Sequence, residues 1–250
     1  ASQMAETLIF MNEWERLENV VSEWIIKHPD SNELKSNQFQ AKLYYRGDLK
    51  SARQLFDLLQ PWPGVMYISR ANDLYAYERD FVGWLAIQDT PAFTQYGQFG
   101  DDIGMTRGII YHLMGDEERS RQMLQQQIDY LLAKQPSGTF VDAFVPAGLA
   151  VCWSYMGEHE KALEFSQKAM QMIPLENDHI FGSNIARTNT LLLARAGQRD
   201  EALEILAATV DRKEGPTRWE LYLDPRWDFF RDDERFNELV KPLNLDEAKR

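Results

Sequence analysis

Six times along this chain an apolar or aromatic run breaks at a turn residue, meets an acidic or polar side chain, and resumes as an amphipathic run. The clear instances read YYRGDLKSARQLF from Tyr44, YHLMGDEERSRQML from Tyr111, WSYMGEHEKALEF from Trp153 and LLARAGQRDEALEIL from Leu192, with a weaker FMNEWERLENVV from Phe10. Their turn residues are Asn12, Gly47, Gly115, Gly157 and Gly197, spaced by 35, 68, 42 and 40 residues. One spacing is about twice the others and demands a hidden turn. LYAYERDFVGWLAIQDTP carries Arg79-Asp80 at the required place, with its register open by one residue. A period of this size marks stacked supersecondary units.

Each unit reads as two antiparallel helices. Ala143, Ala147, Ala150, Val151 and Ser154 fall on one helical stripe, and Ala162, Phe165, Ala169 and Met172 on a second stripe after the turn. A Gly between stripes supplies the left-handed backbone that ends a helix at little cost. The acidic residue after it suits the positive end of the next helix. A small side chain then follows (Ala52, Ala86, Ser120, Ala162 and Ala202, with Leu17 as the exception), which lets the helices cross closely. Pro29, Pro136 and Pro174 stop second helices. Sustained period-2 alternation and Asn-Gly hairpins are missing, so the chain is expected to be all-α.

These residues resemble the tetratricopeptide repeat (TPR) family, whose units carry a small residue, an aromatic, a turn Gly, an Ala and a closing Pro in fixed order. One unit matches at Ala150, Trp153, Gly157, Ala162, Ala169 and Pro174, another at Gly108, Tyr111, Gly115 and Ser120, and another at Gly197 and Ala202. The resemblance implies a helix-turn-helix solenoid, a right-handed superhelix of about six pairs over residues 1–211 with the third degenerate. In the tail, residues 212–250, LYLDPRWDFFRDDERFNELVKPL predicts capping helices: Asp224 caps ahead of Pro225, and Asp232 caps a helix burying Phe236, Leu239 and Val240. This ending is similar to that of TPR arrays attached to bacterial nucleotide cyclases, kinases and winged-helix regulators. The chain lacks an initiator Met and is expected to be one part of such a protein.

The same resemblance places a partner-binding groove on the first helix of each pair. In this sequence the projection selects Asn37, Tyr44 and Tyr45, then Tyr75, Glu78 and Arg79, then Met105 and His112, then Tyr155, then Arg187 and Arg195. A mixed aromatic and charged lining suits a peptide or a partner helix; the same tyrosines would also serve as inner-wall packing. Asn37 and Asn72 echo the clamp by which one TPR subclass holds a terminal carboxylate, but its lysines are missing, so that specificity is not expected. Trp62, in QPWPG, is the tryptophan expected to be exposed, and most of the others read as inter-helix core.

Composition narrows the partners. A formal net charge of −12 opposes nucleic acid and anionic lipid, which require clustered Lys and Arg. No stretch approaches the roughly 18 apolar residues of a membrane span. Cys152 is alone, which suits the cytoplasm and is compatible with the periplasm if a span precedes the chain.

Chemistry finds little support. QYGQFGDDIGMTRG (Gly97, Gly100, Gly104, Gly108) has neither a basic turn residue nor a preceding strand, so it reads as helix packing below a cap at Asp101 or Asp102. His28, His112, His159 and His179 lack metal-ligand spacing, and His112 alone projects inward. Acidic pairs sit at helix starts, where the helix dipole accounts for them. A closed toroid of helices built as a glycosidase would need about a dozen helices in a ring, against the open stack expected here. The expectation is a non-catalytic protein-interaction or scaffold module without cofactor or metal, with homodimerisation or effector sensing as alternatives.

Overall fold

The computed structural model describes residues 2–59, 65–91, 93, 103–178 and 181–241, and every regular element among them is helical. The chain divides into two compact units: Ala1–Trp84 with Ala208–Arg250, and Leu85–Ala207. Trp62, Gly97, Gly100, Asp101, Asp102 and His179 lie outside the described residues.

The first unit opens with α1 (Ser2–Phe10), α2 (Trp14–Lys27), α3 (Asn32–Gln40) continued by a π-turn (Ala41–Tyr45), α4 (Leu49–Leu58), α5 (Val65–Tyr77) and the start of α6 (Phe81–Ile87). The second holds α7 (Ile103–Leu113), α8 (Glu117–Ala133), a 3-10 turn (Phe140–Ala143), α9 (Phe144–Tyr155), α10 (His159–Met172), α11 (Phe181–Arg195) and most of α12 (Arg199–Thr209). The tail returns to the first unit with α13 (Arg218–Leu223), a 3-10 helix (Pro225–Phe230) and α14 (Glu234–Val240).

All six turn residues adopt the left-handed backbone that ends a helix: φ is 56° at Asn12, 63° at Gly47, 58° at Arg79, 78° at Gly115, 86° at Gly157 and 82° at Gly197. The hidden third turn is therefore centred on Arg79. After five of them the next N–H reaches five residues back, as in Asp116 to Tyr111 (2.8 Å) and Asp80 to Tyr75 (3.0 Å). At Gly47 it reaches six back, from Asp48 to Lys42 at 2.9 Å, because the π-turn inserts one extra residue. Asp48 and Asp116 then cap the following helices through Ser51 N–H and Arg119 N–H, both at 3.0 Å.

Fixing that register corrects one expectation. Five residues after each turn stand Leu17, Ala52, Trp84, Ser120, Ala162 and Ala202, every one buried. Ala86, assigned to that slot from sequence, is exposed; Trp84 fills it and donates from Nε1 to Asn72 Oδ1 at 2.7 Å. In α10, Met172 is exposed, and the buried stripe runs through Ala162, Ser166 and Ala169 to Ile173 just past the helix end. In the tail Asp224 caps as expected, accepting from Arg226 N–H at 2.9 Å, whereas α14 is capped by Asp233 rather than Asp232.

In the second unit α7, α8, α9, α10 and α11 pack in succession, and α9 also touches α7 and α11, so the first helices of neighbouring pairs lie side by side. Ile109, Leu124, Ile128, Leu149, Cys152 and Tyr155 form the core there. A Cβ on Gly108 would run into Leu124 and one on Gly104 into Gln127, both on α8, so these glycines allow the close helix contact read from sequence. Among the described residues no helix is long and apolar enough to cross a membrane.

In the first unit the tail is bound to the N-terminal helices. Glu214 N–H donates to Phe10 O at 2.9 Å, and Asn12 Nδ2 to Gly215 O at 3.2 Å. Trp219 lies on Gly47, so close that a Cβ there would sit within its ring. No sequence periodicity announces this return.

Candidate functional site

The eleven residues projected onto a groove separate into two groups, one in each unit. In the first, the face of α3 and its π-turn meets the face of α5. Tyr44, buried, donates from its hydroxyl to Asp73 Oδ2 at 2.5 Å and lies edge-on to Tyr77, with ring centroids 6.5 Å apart. Asp73 and Tyr77 share their face of α5 with Arg70, which is 6% exposed and whose Nε has no hydrogen-bond partner among the described residues. The tail brings Glu220, Asp224 and Arg226 to the same place, with Arg226 Nε 2.9 Å from Asp224 Oδ1.

Burial pushes the Asp73 carboxyl above the ordinary range, and the Tyr44 hydrogen bond and the charge of Arg226 only partly oppose it. Burial and the Asp73 charge hold Tyr44 and Tyr77 well above the ordinary phenol value, so both are hydrogen-bond donors at any physiological pH.

The other five projected residues of this unit are each engaged by side chains of the same unit. Asn37 is buried and its Oδ1 accepts from Gln40 Nε2 at 3.3 Å. The Arg46 guanidinium covers the Tyr45 ring at 4.5 Å while its Nη2 donates to Glu18 at 2.7 Å. Burial would raise the Glu18 carboxyl, but hydrogen bonds from Arg46 and Lys42 leave it below the ordinary value. Arg53 stacks on Tyr75 at 4.4 Å and pairs with Glu78 through Nε at 3.1 Å. Arg79 reaches the tail, where its Nη2 donates to Asp228 Oδ1 at 2.9 Å.

In the second unit the projection brings residues together along three adjacent first helices. His112 on α7 meets Tyr155 on α9 edge-on, with centroids 5.2 Å apart. Arg195 on α11 lies over the other partner of that contact, 3.8 Å from the Tyr155 centroid, and its Nε donates to Ser154 Oγ at 3.1 Å. His112 Nδ1 is 2.9 Å from Glu117 Oε1, in ion-pair range though not aligned as a hydrogen bond. His159, at the start of α10, has its imidazole pushed below the ordinary value by burial and then by the charge of Arg195. Met105 packs on the core from α7, and Arg187 is exposed on α11.

Sequence reasoning missed Arg70, Asp73 and Tyr77, although their spacing of three and seven residues puts them on one helical face. It also missed Ser154 and His159. Glu220, Asp224 and Arg226 had no signal, because only the return of the tail carries them to α5. Chemically, the second group offers ring faces, an imidazole and guanidinium groups, a set suited to stacking and to recognising carboxylates. No protein-family model matches the sequence, and no curated protein matches it.

Proposed function

We propose that the chain is a TPR-like stack of helix pairs that acts as a non-catalytic protein-interaction module. Its partner is an extended peptide or a helix laid across α7, α9 and α11. One observation carries this reading: His112 and Arg195, projected onto a groove from separate repeats, each contact the Tyr155 ring between them along adjacent first helices. Their chemistry points to a partner rich in acidic and aromatic side chains, because the Arg195 guanidinium lies over the Tyr155 ring and Arg187 is exposed on the same helix. The placement within a larger bacterial signalling protein rests on the resemblance of the tail alone.

The test is an arrayed peptide library read by fluorescence anisotropy. Binders enriched in Asp, Glu and aromatics, weakened about tenfold or more by Arg195→Ala, would support the reading. A library without binders, or binders indifferent to Arg195, would end it.

A second reading, homodimerisation, is favoured by a separate feature of the second unit. Phe140 stacks on Phe181 and both meet Phe144 edge-on, with centroids 5.1 to 6.2 Å apart, yet Phe140 is 52% exposed. An exposed aromatic cluster of this kind suits self-association. Sedimentation of wild type and Phe140→Ser over a hundredfold concentration range decides it, since a dimer through this patch would dissociate in the variant.

A further inference from the structure

In each unit a pair of rings on neighbouring first helices meets edge-on, and the two pairs hold the same register. Tyr44 stands three residues before Gly47 and Tyr77 two before Arg79; His112 stands three before Gly115 and Tyr155 two before Gly157. The centroids lie 6.5 Å apart at 77° in the first pair and 5.2 Å apart at 84° in the second. We infer that the second pair takes from a partner what the chain's own tail supplies to the first: a short helix with an aromatic side chain followed by acidic ones. This rests on the peptide-binding reading and names the partner of that same groove.

The tail shows what the first pair accepts. The ring of Trp219, on α13, seats on Gly47, where the missing side chain allows it to come close. Glu220, next in sequence, and Asp224, five residues after the tryptophan, bring negative charge to the pair: Glu220 acts on both tyrosines, and Asp224 on Tyr77. Arg79 holds the next turn of the tail by donating from Nη2 to Asp228 Oδ1 at 2.9 Å. The aromatic and the three acids make one recognition element, Trp-Glu-x-x-x-Asp-x-x-x-Asp, laid on two neighbouring repeats.

The second unit repeats this surface with one exchange. Gly115 corresponds to Gly47, and a Cβ on it would meet nothing within 4 Å, so a ring has room to seat there. Asp73, which accepts from the Tyr44 hydroxyl at 2.5 Å, stands four residues before Tyr77; four before Tyr155 stands Val151. Where the first pair has a phenol and a carboxylate of its own, the second therefore presents an imidazole and a guanidinium. Glu117, in ion-pair range of His112 Nδ1 at 2.9 Å, answers the imidazole. The acids of a partner would meet Arg195, 3.8 Å from the Tyr155 centroid, as Asp228 meets Arg79 in the first unit.

The probe is a fluorescein-labelled synthetic peptide of residues 216–230, PTRWELYLDPRWDFF, titrated with the full chain and read by anisotropy. Saturable binding is expected, weakened about tenfold or more by Trp219→Ala in the peptide, and likewise by Glu220→Gln with Asp224→Asn in the peptide. Placing these changes in the peptide leaves the fold of the chain untouched. His112→Ala in the chain should weaken the unaltered peptide to a similar extent, whereas Asp228→Ala in the chain, which loosens the tail of the first unit, should leave the affinity unchanged. Binding that does not saturate, that ignores the peptide changes or His112→Ala, or that tightens with Asp228→Ala would overturn the inference, the last because the peptide would then be exchanging with the tail. A library that yields acidic binders dependent on Arg195 while this peptide fails removes the inference and leaves the peptide-binding reading standing; a library without binders removes both.

Discussion

The two units solve the same local problem, ending one helix and starting the next, with different means. In the second unit the turns at Gly115, Gly157 and Gly197 stand in open space: a Cβ at any of them would meet nothing within 4 Å. These glycines are there for backbone conformation alone. In the first unit, two of the three turns use non-glycine residues, Asn12 and Arg79, in the same left-handed region. The third, Gly47, is pressed against Trp219 from the tail. Repetition governs the second unit, and long-range closure governs the first. Where a chain segment must also receive a distant partner, the repeat pattern bends to accommodate it.

The largest expected effect tests that contrast directly. Gly47→Ala combines a left-handed backbone penalty of about 1 kcal/mol with a methyl forced into the Trp219 ring, for a total of about 2–4 kcal/mol. Gly157→Ala meets only the backbone penalty and should cost about 1 kcal/mol. Chemical denaturation of the two variants against wild type measures the difference. Equal costs would mean that Trp219 swings aside freely and that the tail is not a fixed part of the first unit.

Next in size is Arg79→Gly, which removes the left-handed strain at the one turn where an arginine bears it. The Arg79–Asp228 ion pair is nearly half exposed on each side, and such pairs contribute little. The variant should therefore be neutral to about 1 kcal/mol more stable by denaturation. A loss above that range would assign the ion pair a larger share in holding the tail.

How much of this was legible beforehand follows the same division. The turns of the second unit were readable because Gly, an acidic or polar residue and a small residue recur at fixed offsets, and each element answers to its own few residues. The third turn was found only by arithmetic on the spacings, and the small-residue rule then misassigned Ala86, because Trp84 satisfies that slot by hydrogen bonding to Asn72 instead of by being small. Of the residues projected onto the candidate groove, His112 and Arg195 each contact Tyr155, since each lies two or three residues before the turn Gly of its own repeat. Sequence offered no route to the Asp73–Arg226 association, which joins residues about 150 positions apart. Periodicity encodes what is near in the stack and is silent about what folds back.

A smaller effect separates the units by pH. Asp73 is pushed upward, so the folded state holds its proton more tightly than the unfolded chain does. Stability from this group is fully present below the ordinary carboxyl value of 3.8 and is lost as pH rises through the raised value in the folded state. Asp73→Asn mimics the protonated acid, so the variant should gain on wild type at neutral pH and converge with it in acid. Melting temperatures between pH 3 and pH 7 check this; parallel curves would show that the carboxylate is well solvated.

The smallest effect lies in the second unit and has the opposite sign. His159 is pushed downward by burial and by Arg195, so the unfolded chain binds its proton more readily than the folded one. Stability from this group is present above the ordinary imidazole value of 6.5 and is lost as pH falls through it. Arg195→Met removes the neighbouring charge but keeps a long apolar side chain over Tyr155, so the loss between pH 7 and pH 5 should be shallower than in wild type. The His159 imidazole resonances, followed by NMR, should titrate at higher pH in the variant. If they do not move, burial alone governs His159, and the Arg195 charge is spent on the Tyr155 ring and the Ser154 hydroxyl instead.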